Sequence, residues 1–269
     1  MSSKNSNCMV WEPPLIQPHR IGEINKFGRA RPREKQVSRV FDIDIEQLKA
    51  QYGSPLFVTS ESRLRQNVRQ LKRAFEVRYG NVSHGWSYKT NYISAVCNIM
   101  HQEGSLAEVV SAFEYEKARQ LGVPGEKIIF NGPNKTRKIL ERAIADGAQI
   151  NIDHLDELQL IESVAQGQGR CATVGLRLNF DTGFSEPWSR FGFNIESGQA
   201  HQAAKQVVMS EHLRLKGLHS HIGTFILEPR AYCEQVKIMC KFMRDLEGRE
   251  EVCIDTIDIG GGLPSHNAL

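Results

Sequence analysis

The sequence predicts an α/β fold organised around a parallel sheet, and three observations lead to this prediction. Short apolar segments alternate with amphipathic segments of helical period from residue 38 onward, as in a succession of βαβ units. The length of 269 residues is close to the roughly 250 of a (β/α)₈ barrel. Polar and glycine-bearing residues directly follow the apolar segments, and such strand ends meet at the catalytic face of a barrel.

The individual elements are predicted in chain order. A strand over 56–59 and a helix over 61–78 come first. Seven further strands are predicted over 82–88, 105–110, 127–131, 148–152, 172–179, 213–220 and 253–259. Six helices separate these strands, over 91–103, 111–121, 135–146, 154–166, 197–209 and 229–247. An open doubly wound sheet satisfies the same count. No G-x-G-x-x-G follows the first of these strands, however, so a (β/α)₈-type barrel is preferred.

The composition is that of an ordinary globular protein, with 40% hydrophobic and 24% charged residues and a net charge of +3. Residues 1–37 carry seven basic and three acidic side chains, so we expect a basic N-terminal extension over 1–50 and a barrel domain over 51–269. Aromatic residues are not interleaved with the basic ones as in a nucleic-acid platform, and we expect neither a nucleic-acid nor a membrane partner.

We expect the compartment to be the cytoplasm, for three reasons. No apolar run reaches the roughly 18 residues of a membrane span. The first residues lack the apolar core and cleavage site of a secretory signal. The six cysteines form no disulfide framework.

Lys89 closes the predicted strand 82–88, in the segment HGWSYKTN. A lysine inside the end of a barrel is costly to bury as a charge, so it tends to pair or to lose its proton. A neutral amine is a nucleophile for carbonyl groups. The alternative is an ordinary surface lysine at a strand end.

His219 and His221 lie two residues apart in LHSHIGT and therefore on the same face of one strand. Three interpretations stay open. The two imidazoles could bind a metal, although zinc needs further ligands and no second His/Asp cluster is evident. One imidazole could pack flat against a planar cofactor. Both could simply end a core strand.

A run of three glycines follows the last predicted strand, in TIDIGGGLP. A backbone without Cβ atoms can cradle a phosphate with its N–H groups, or it can merely form a turn. A strand-end lysine, a strand-end histidine and this glycine run together suit a phosphorylated aldehyde held as a Schiff base. Pyridoxal 5′-phosphate is that cofactor.

These motifs resemble those of the ornithine/diaminopimelate/arginine decarboxylase family, the pyridoxal-phosphate enzymes of barrel fold. SYKTN is similar to the family's cofactor-lysine motif, HSHIGT to its sixth-strand motif and DIGGGLP to its phosphate-binding seventh-strand motif. NGPNKT, GLRLN and SRFGF also fit, and the resemblance runs from about residue 50 to 264. The HSHIG form is closest to that of the diaminopimelate decarboxylases.

The resemblance implies roles for individual residues. Lys89 would hold the cofactor as a Schiff base, and His221 would stack on the pyridine ring. Arg177 would lie under the cofactor, and Thr224 would stand where the family usually has a serine near the phosphate. The backbone donors to that phosphate would be Gly260, Gly261 and Gly262. No residue is assigned to a metal.

The resemblance also implies pyridoxal-phosphate-dependent decarboxylation of a diamino acid, with a small amino-acid substrate and a homodimer in the intact family. Two departures stand out: Glu108 replaces a common Asp, and the sequence ends shortly after the glycine motif, before the family's eighth strand and C-terminal β-domain. We therefore expect a shortened member with little activity of its own. The alternatives are a non-catalytic cofactor-binding or regulatory relative, an amino-acid racemase, and a metal-dependent hydrolase.

Overall fold

The computed structural model describes residues 38–184, 186–250 and 252–264, and the chain divides into two compact units, Met1–Ser60 and Glu61–Leu269. Most of the expected basic extension, residues 1–37, lies outside the described residues. In the first unit, β1 (Arg39–Val40) and β2 (Ile43–Asp44) form a small antiparallel hairpin, followed by α1 (Ile45–Tyr52). The Asp44 carboxylate caps α1 by accepting two backbone N–H groups.

The strand predicted over 56–59 is not formed, and this prediction is wrong. The segment is extended but pairs with no strand within the described part of its unit. Phe57 is 99% exposed, so the apolar character that suggested a strand is not used for burial. A strand needs a neighbour to bond its backbone, and in its own unit the described residues form only the two-residue strands of the hairpin.

The second unit alternates strands and helices along the chain. It begins with α2 (Glu61–Glu76), β3 (Gly85–Ser87), α3 (Ser94–Gln102), β4 (Leu106–Val109), α4 (Ala112–Gln120), β5 (Ile128–Phe130), α5 (Arg137–Ala145) and β6 (Gln149–Ile152). It continues with α6 (Leu155–Gly167), β7 (Ala172–Asn179), β8 (Phe193–Asn194), α7 (Gln199–Met209), β9 (Leu213–Ser220), α8 (Pro229–Arg249) and β10 (Thr256–Asp258).

The strands form one parallel sheet with the order β10-β9-β7-β6-β5-β4-β3, and the short β8 pairs in parallel with β7. The seven strands predicted for the barrel are therefore confirmed, several of them shorter than expected. Sequence reasoning missed β8, because two residues carry no periodic pattern. The α/β class with a curled parallel sheet of barrel type is confirmed.

The core lies between this sheet and the helices that cover it. In β5, β6 and β7 the apolar side chains are almost all buried, as expected for parallel strands that are covered by helices. The two longest strands, β7 and β9, lie side by side over seven paired positions. This central pair fixes where the two strands end, and therefore where the side chains after them are placed.

Two of the strand-to-helix connections each contain a buried glutamate that bonds the backbone in the same way. The Oε2 atom of Glu114, in the first turn of α4, accepts the N–H of Val110 at 2.7 Å. The Oε2 atom of Glu157, in the first turn of α6, accepts the N–H of Asp153 at 2.7 Å. In both helices the N-cap side chain accepts the N–H of that glutamate. Each connection is thus held by hydrogen bonds in both directions.

The longest helix, α8, has 21 residues and buries one side chain per turn on a single face, namely Ala231, Gln235, Met239, Phe242 and Leu246. The spacing of four or three residues is that of an amphipathic helix packed on a core. Gln235 is the polar member of this otherwise apolar stripe. Neither α8 nor any other helix among the described residues has the length and apolar character needed to cross a membrane.

Candidate functional site

The predicted site residues lie at or just beyond the carboxyl ends of strands in the parallel sheet, and Arg177 is still within its strand. Arg177 on β7 lies opposite His219 on β9, and His219 lies opposite Asp258 on β10. Because parallel strands end on the same edge, the residues just beyond these positions come from one side of the molecule. The sheet therefore brings together groups that are far apart in sequence, such as Lys89 and Gly262.

Lys89 lies two residues beyond β3, in a turn, and its side chain is exposed. The burial that sequence reasoning assumed for this amine is therefore not seen. Its charge still acts on the site. It adds to the burial that lowers the pKa of His221, and it opposes the rise that burial causes in the pKa of Glu114. An exposed amine beside the strand ends is accessible to an aldehyde from solvent.

His221 follows β9 by one residue, and its Nδ1 atom accepts the backbone N–H of Gly261 at 3.3 Å. The indole ring of Trp188 stands edge-on to the imidazole, with the ring centroids 6.0 Å apart. Burial and the positive charge of Lys89 lower the pKa of His221 to about 4. The ring is therefore neutral at pH 7, and with Nδ1 acting as an acceptor its proton is on Nε2.

His219 has a different environment from His221. Its Nδ1 atom lies 3.0 Å from Oδ2 of Asp258 in the interior of the sheet. Burial raises the pKa of the Asp258 carboxyl, but the opposing charge and hydrogen bonding of His219 bring it below its usual value. No three His, Cys, Asp or Glu side chains in the described residues are grouped to hold a metal. The two histidines thus have separate protein partners.

The glycine turn, formed by Gly260, Gly261 and Gly262, follows β10. Gly260 and Gly262 have φ angles of +68° and +93°, and a Cβ on Gly260 would lie 2.7 Å from the carbonyl oxygen of Ser220. The fold itself therefore requires glycine at these two positions. A Cβ on Gly261 would meet no atom within 4 Å and its φ angle is ordinary, so the chain leaves open space beside the middle residue. Such a cradle suits a phosphate group approached by backbone N–H groups.

Arg177 lies in β7 with its guanidinium buried. Its Nη1 atom is 3.4 Å from Oδ1 of Asp153, and the guanidinium carbon lies 4.6 Å from the centroid of the Phe191 ring. Burial lowers the pKa of Arg177, while the carboxylates of Asp153, Glu108 and Asp258 oppose this change. Arginine remains charged in proteins, so a fixed positive charge lies within the sheet near the strand ends.

Glu108, which the sequence marked as a departure from the family, begins a chain of polar side chains across three strands. Its Oε1 atom accepts from Asn131 Nδ2 at 2.9 Å, and Asn131 Oδ1 accepts from Asn151 Nδ2 at 2.7 Å. Sequence reasoning missed the two asparagines as a network. In the sequence, these asparagines are visible only as amide side chains that interrupt or follow apolar strands. That pattern does not reveal that the two side chains bond to each other.

Lys135 is a second residue that sequence reasoning missed. Its side chain is fully buried, and Nζ donates to the carbonyl oxygens of Gly132 and Asn151 and to Oε1 of Glu157, at 2.6, 2.9 and 2.8 Å. Burial lowers the pKa of Lys135, and Glu157 counteracts it. The ammonium group therefore ties the segment after β5 to β6 and α6, away from Lys89.

Thr224 and Trp188 complete the surroundings of the site. Thr224 is exposed in the connection between β9 and α8, and the residue before it, Gly223, lies close to Gly262 of the glycine turn. Trp188 lines a cleft together with Asn179, Ser220 and His221. The motif SRFGF drew attention to the residues after Trp188, but the pattern gave no reason to place its ring against His221.

Comparisons with known proteins agree with this geometry. The family model described as pyridoxal-dependent decarboxylase, pyridoxal binding domain, matches residues 61–268. Diaminopimelate decarboxylases of Methanocaldococcus jannaschii and Zymomonas mobilis are 30% and 31% identical over 82% and 83% of this chain, which corresponds to 53% and 55% of their own lengths. The chain thus spans about half the length of the curated relatives it matches.

Solved structures give the same result. Diaminopimelate decarboxylase of M. jannaschii superposes with a TM-score of 0.79 at 28% identity, over 87% of this chain and 57% of that one. Lysine/ornithine decarboxylase of Vibrio vulnificus, complexed with putrescine, gives a TM-score of 0.69 at 27% identity, over 82% and 56%. The resemblance inferred from the motifs is confirmed, as is pyridoxal phosphate as the cofactor of such domains.

Proposed function

Because the chain belongs to the pyridoxal-dependent decarboxylases and carries their pyridoxal-binding domain, we propose that it serves the decarboxylation of a small amino acid. A diamino acid is the first candidate, and diaminopimelate in particular. The support is that the relatives named above are diaminopimelate decarboxylases. In addition, a structural neighbour was solved in complex with L-lysine.

The hydrogen bond between Gly261 and His221 is the observation that carries the proposal. It joins the residue expected to stack on the pyridine ring to the turn expected to bind the phosphate. A cofactor that has both a flat ring and a phosphate needs these two recognition elements side by side. The open space beside Gly261 is consistent with the phosphate of such a cofactor.

When bound, pyridoxal phosphate supplies an electron sink for the pair left on Cα as the carboxylate leaves. The protein side chains provide attachment and orientation. Lys89 offers the amine to which the aldehyde attaches. The neutral ring of His221 offers a flat face without a repelling charge, and Arg177 contributes a fixed positive charge. In the glycine turn the N–H groups of Gly260 and Gly261 donate to Asp258 and His221. Among the described residues, the N–H of Gly262 is therefore the donor that the turn offers to the phosphate.

The remaining expectations are proposals of the same kind. We propose a homodimer for the complete protein, without a nucleic-acid or membrane partner, and a cytoplasmic location. The cysteines support the location, because Cys97, Cys171, Cys233, Cys240 and Cys253 are all free thiols.

The attachment of the cofactor is tested by trapping. The purified chain is incubated with pyridoxal phosphate, reduced with borohydride, and digested for peptide mapping. We expect the pyridoxyl group on Lys89, its loss in Lys89→Arg, and its retention in the control Lys138→Arg on the exposed face of α5. A label on another lysine with Lys89 unmodified would refute the assignment.

The substrate is tested by release of CO₂ from diaminopimelate, lysine, ornithine and arginine in the presence of pyridoxal phosphate. We expect diaminopimelate to give the highest rate of the four. A higher rate with any of the other three amino acids would exclude diaminopimelate as the preferred substrate.

A further inference from the structure

Gln235 joins the ends of two strands of the sheet. Its side chain is fully buried in the face of α8 that packs on the core. The Nε2 atom donates to the carbonyl oxygen of Ser220 and to that of Ile259, both at 3.0 Å. Ser220 immediately precedes His221, and Ile259 immediately precedes the glycine turn. One amide group therefore holds both recognition elements by their backbone.

Two more donors bind the carbonyl groups of the glycine turn. The hydroxyl of Tyr232, one turn before Gln235 on α8, donates to the carbonyl oxygen of Gly261 at 3.3 Å. The N–H of Ile226 donates to the carbonyl oxygen of Gly262 at 3.0 Å. The turn is thus bonded through its carbonyl groups to α8 and to the segment that leads into it.

Bonding of these carbonyl groups determines where the N–H groups point. In a planar trans peptide the C=O of one residue and the N–H of the next point in opposite directions. When Gln235 holds the Ile259 carbonyl, the N–H of Gly260 is directed away from α8, and Oδ1 of Asp258 accepts it at 2.8 Å. When Tyr232 holds the Gly261 carbonyl, the N–H of Gly262 is directed away from it as well. The helix thereby orients the N–H side of the turn.

An apolar residue would serve the core better than Gln235 if packing were its only role. Its neighbours in the stripe, Ala231 and Met239, are apolar, and its Oε1 atom is buried without a hydrogen-bond partner among the described residues. Burying an amide with an unsatisfied oxygen costs free energy. Gln235 therefore has a role beyond filling space in the core, and that role depends on where its N–H₂ group lies.

We propose that Gln235, assisted by Tyr232, is a positioning residue that orients the glycine turn for the phosphate of the cofactor. This inference rests on the proposed function. It predicts that Tyr232 matters for binding of the phosphate alone. Gln235 should matter more for the phosphate than for the ring, because it also holds the residue before His221.

The test compares the affinities of the full 269-residue chain for pyridoxal 5′-phosphate and for pyridoxal, which lacks the phosphate. We expect Gln235→Leu to weaken binding of pyridoxal phosphate roughly ten-fold and Tyr232→Phe roughly three-fold, since each loses hydrogen bonds that hold the turn. Affinity for pyridoxal should stay within about two-fold of wild type in Tyr232→Phe. In Gln235→Leu it should fall by clearly less than the affinity for pyridoxal phosphate. Tyr232→Phe keeps the test valid if Gln235→Leu does not fold.

Met239→Ala is the matched control, because Met239 is fully buried one helical turn after Gln235 and has no bond to the turn. It should lower the denaturation midpoint, but it should not weaken binding of pyridoxal phosphate more than binding of pyridoxal. The inference is overturned if Gln235→Leu or Tyr232→Phe weakens both ligands equally, or if Met239→Ala reproduces the phosphate-specific loss. A wild-type chain that binds neither ligand would refute the proposed function and this inference with it. Normal wild-type binding with unchanged variants would refute the inference alone.

Discussion

At the scale of single residues, the state of His221 depends on its neighbours more than on its own chemistry. The hydrogen bond from Gly261 needs an unprotonated Nδ1 atom, and burial beside the positive charge of Lys89 keeps the ring neutral. The same bond fixes the ring relative to the glycine turn. Protonation of this one side chain would therefore disturb both recognition elements together.

This coupling predicts a pH-dependent loss of stability. The unfolded chain binds a proton on this ring as the pH falls through about 6.5, whereas the folded chain does so only near pH 4. Between these values the unfolded state holds more protons, so the contribution of His221 to the free energy of unfolding falls as the pH is lowered. Urea unfolding at several pH values should show a smaller loss between pH 7 and pH 5 in His221→Asn than in wild type. Equal losses would contradict the shifted pKa.

The three glycines of the turn should respond differently to substitution by alanine. Gly260→Ala should cost at least about 1–2 kcal/mol, because φ is positive and the new Cβ meets the Ser220 carbonyl. Gly261→Ala should change the free energy of unfolding by less than about 0.5 kcal/mol, since its Cβ meets no atom, yet it should weaken binding of pyridoxal phosphate. Denaturation and equilibrium binding measure the two effects separately. A Gly261→Ala variant with normal affinity would argue against a phosphate in that space.

At the scale of elements, the buried Lys135 adds side-chain hydrogen bonds to the pairing of β5 with β6 and extends them to α6. It bonds to the segment after β5, to β6 and to the first turn of α6. The Glu157 carboxylate that it contacts also accepts the N–H of Asp153, and Asp153 is the partner of Arg177. A second buried cation, Lys135, thus supports the position of the buried arginine.

Removal of this cation should be costly. Lys135→Met leaves the Glu157 charge buried without its partner, and we expect a loss of about 3–5 kcal/mol in the free energy of unfolding. The double variant Lys135→Met with Glu157→Gln should lose less than the sum of the two single changes. The exposed Lys138→Met, which makes the same substitution on α5, should stay within about 0.5 kcal/mol. Additive losses in the double variant would show that the pair is not coupled.

The sequence predicted the repetitive part of the fold and where the residues that carry a motif lie in it. Seven strands, and the strand-end positions of Lys89 and His221, follow from periodicity and spacing. The wrongly predicted strand over 56–59 and the missed β8 are both short segments. In such segments the available pairing partners, and not the local sequence pattern, determine whether a strand forms. Gln235 and Lys135 could not be predicted, because each acts on backbone carbonyl groups whose position depends on the folded sheet.

At the scale of the whole second unit, the strands of the sheet differ in how well pairing protects their backbone amides from exchange with solvent. β7 and β9 are paired on both sides, whereas β10 and β3 stand at the two ends of the strand order in the described residues. Backbone amides in edge strands lack one set of partners and open more easily. We therefore predict slow hydrogen exchange over 172–179 and 213–220 and fast exchange over 85–87 and 256–258. Mass spectrometry of peptic peptides measures this, and uniform protection would contradict the open order.

Because the site residues follow different strands, they are synthesised at different times. Lys89 leaves the ribosome while more than half of the chain is still to be made, and the glycine turn is among the last described segments. At about 5–20 residues per second, the interval between them is on the order of 10–30 s. Throughout that interval the nascent chain carries the reactive amine without the turn that would hold a phosphate. Retention of the cofactor can therefore begin only when nearly the whole described chain has emerged.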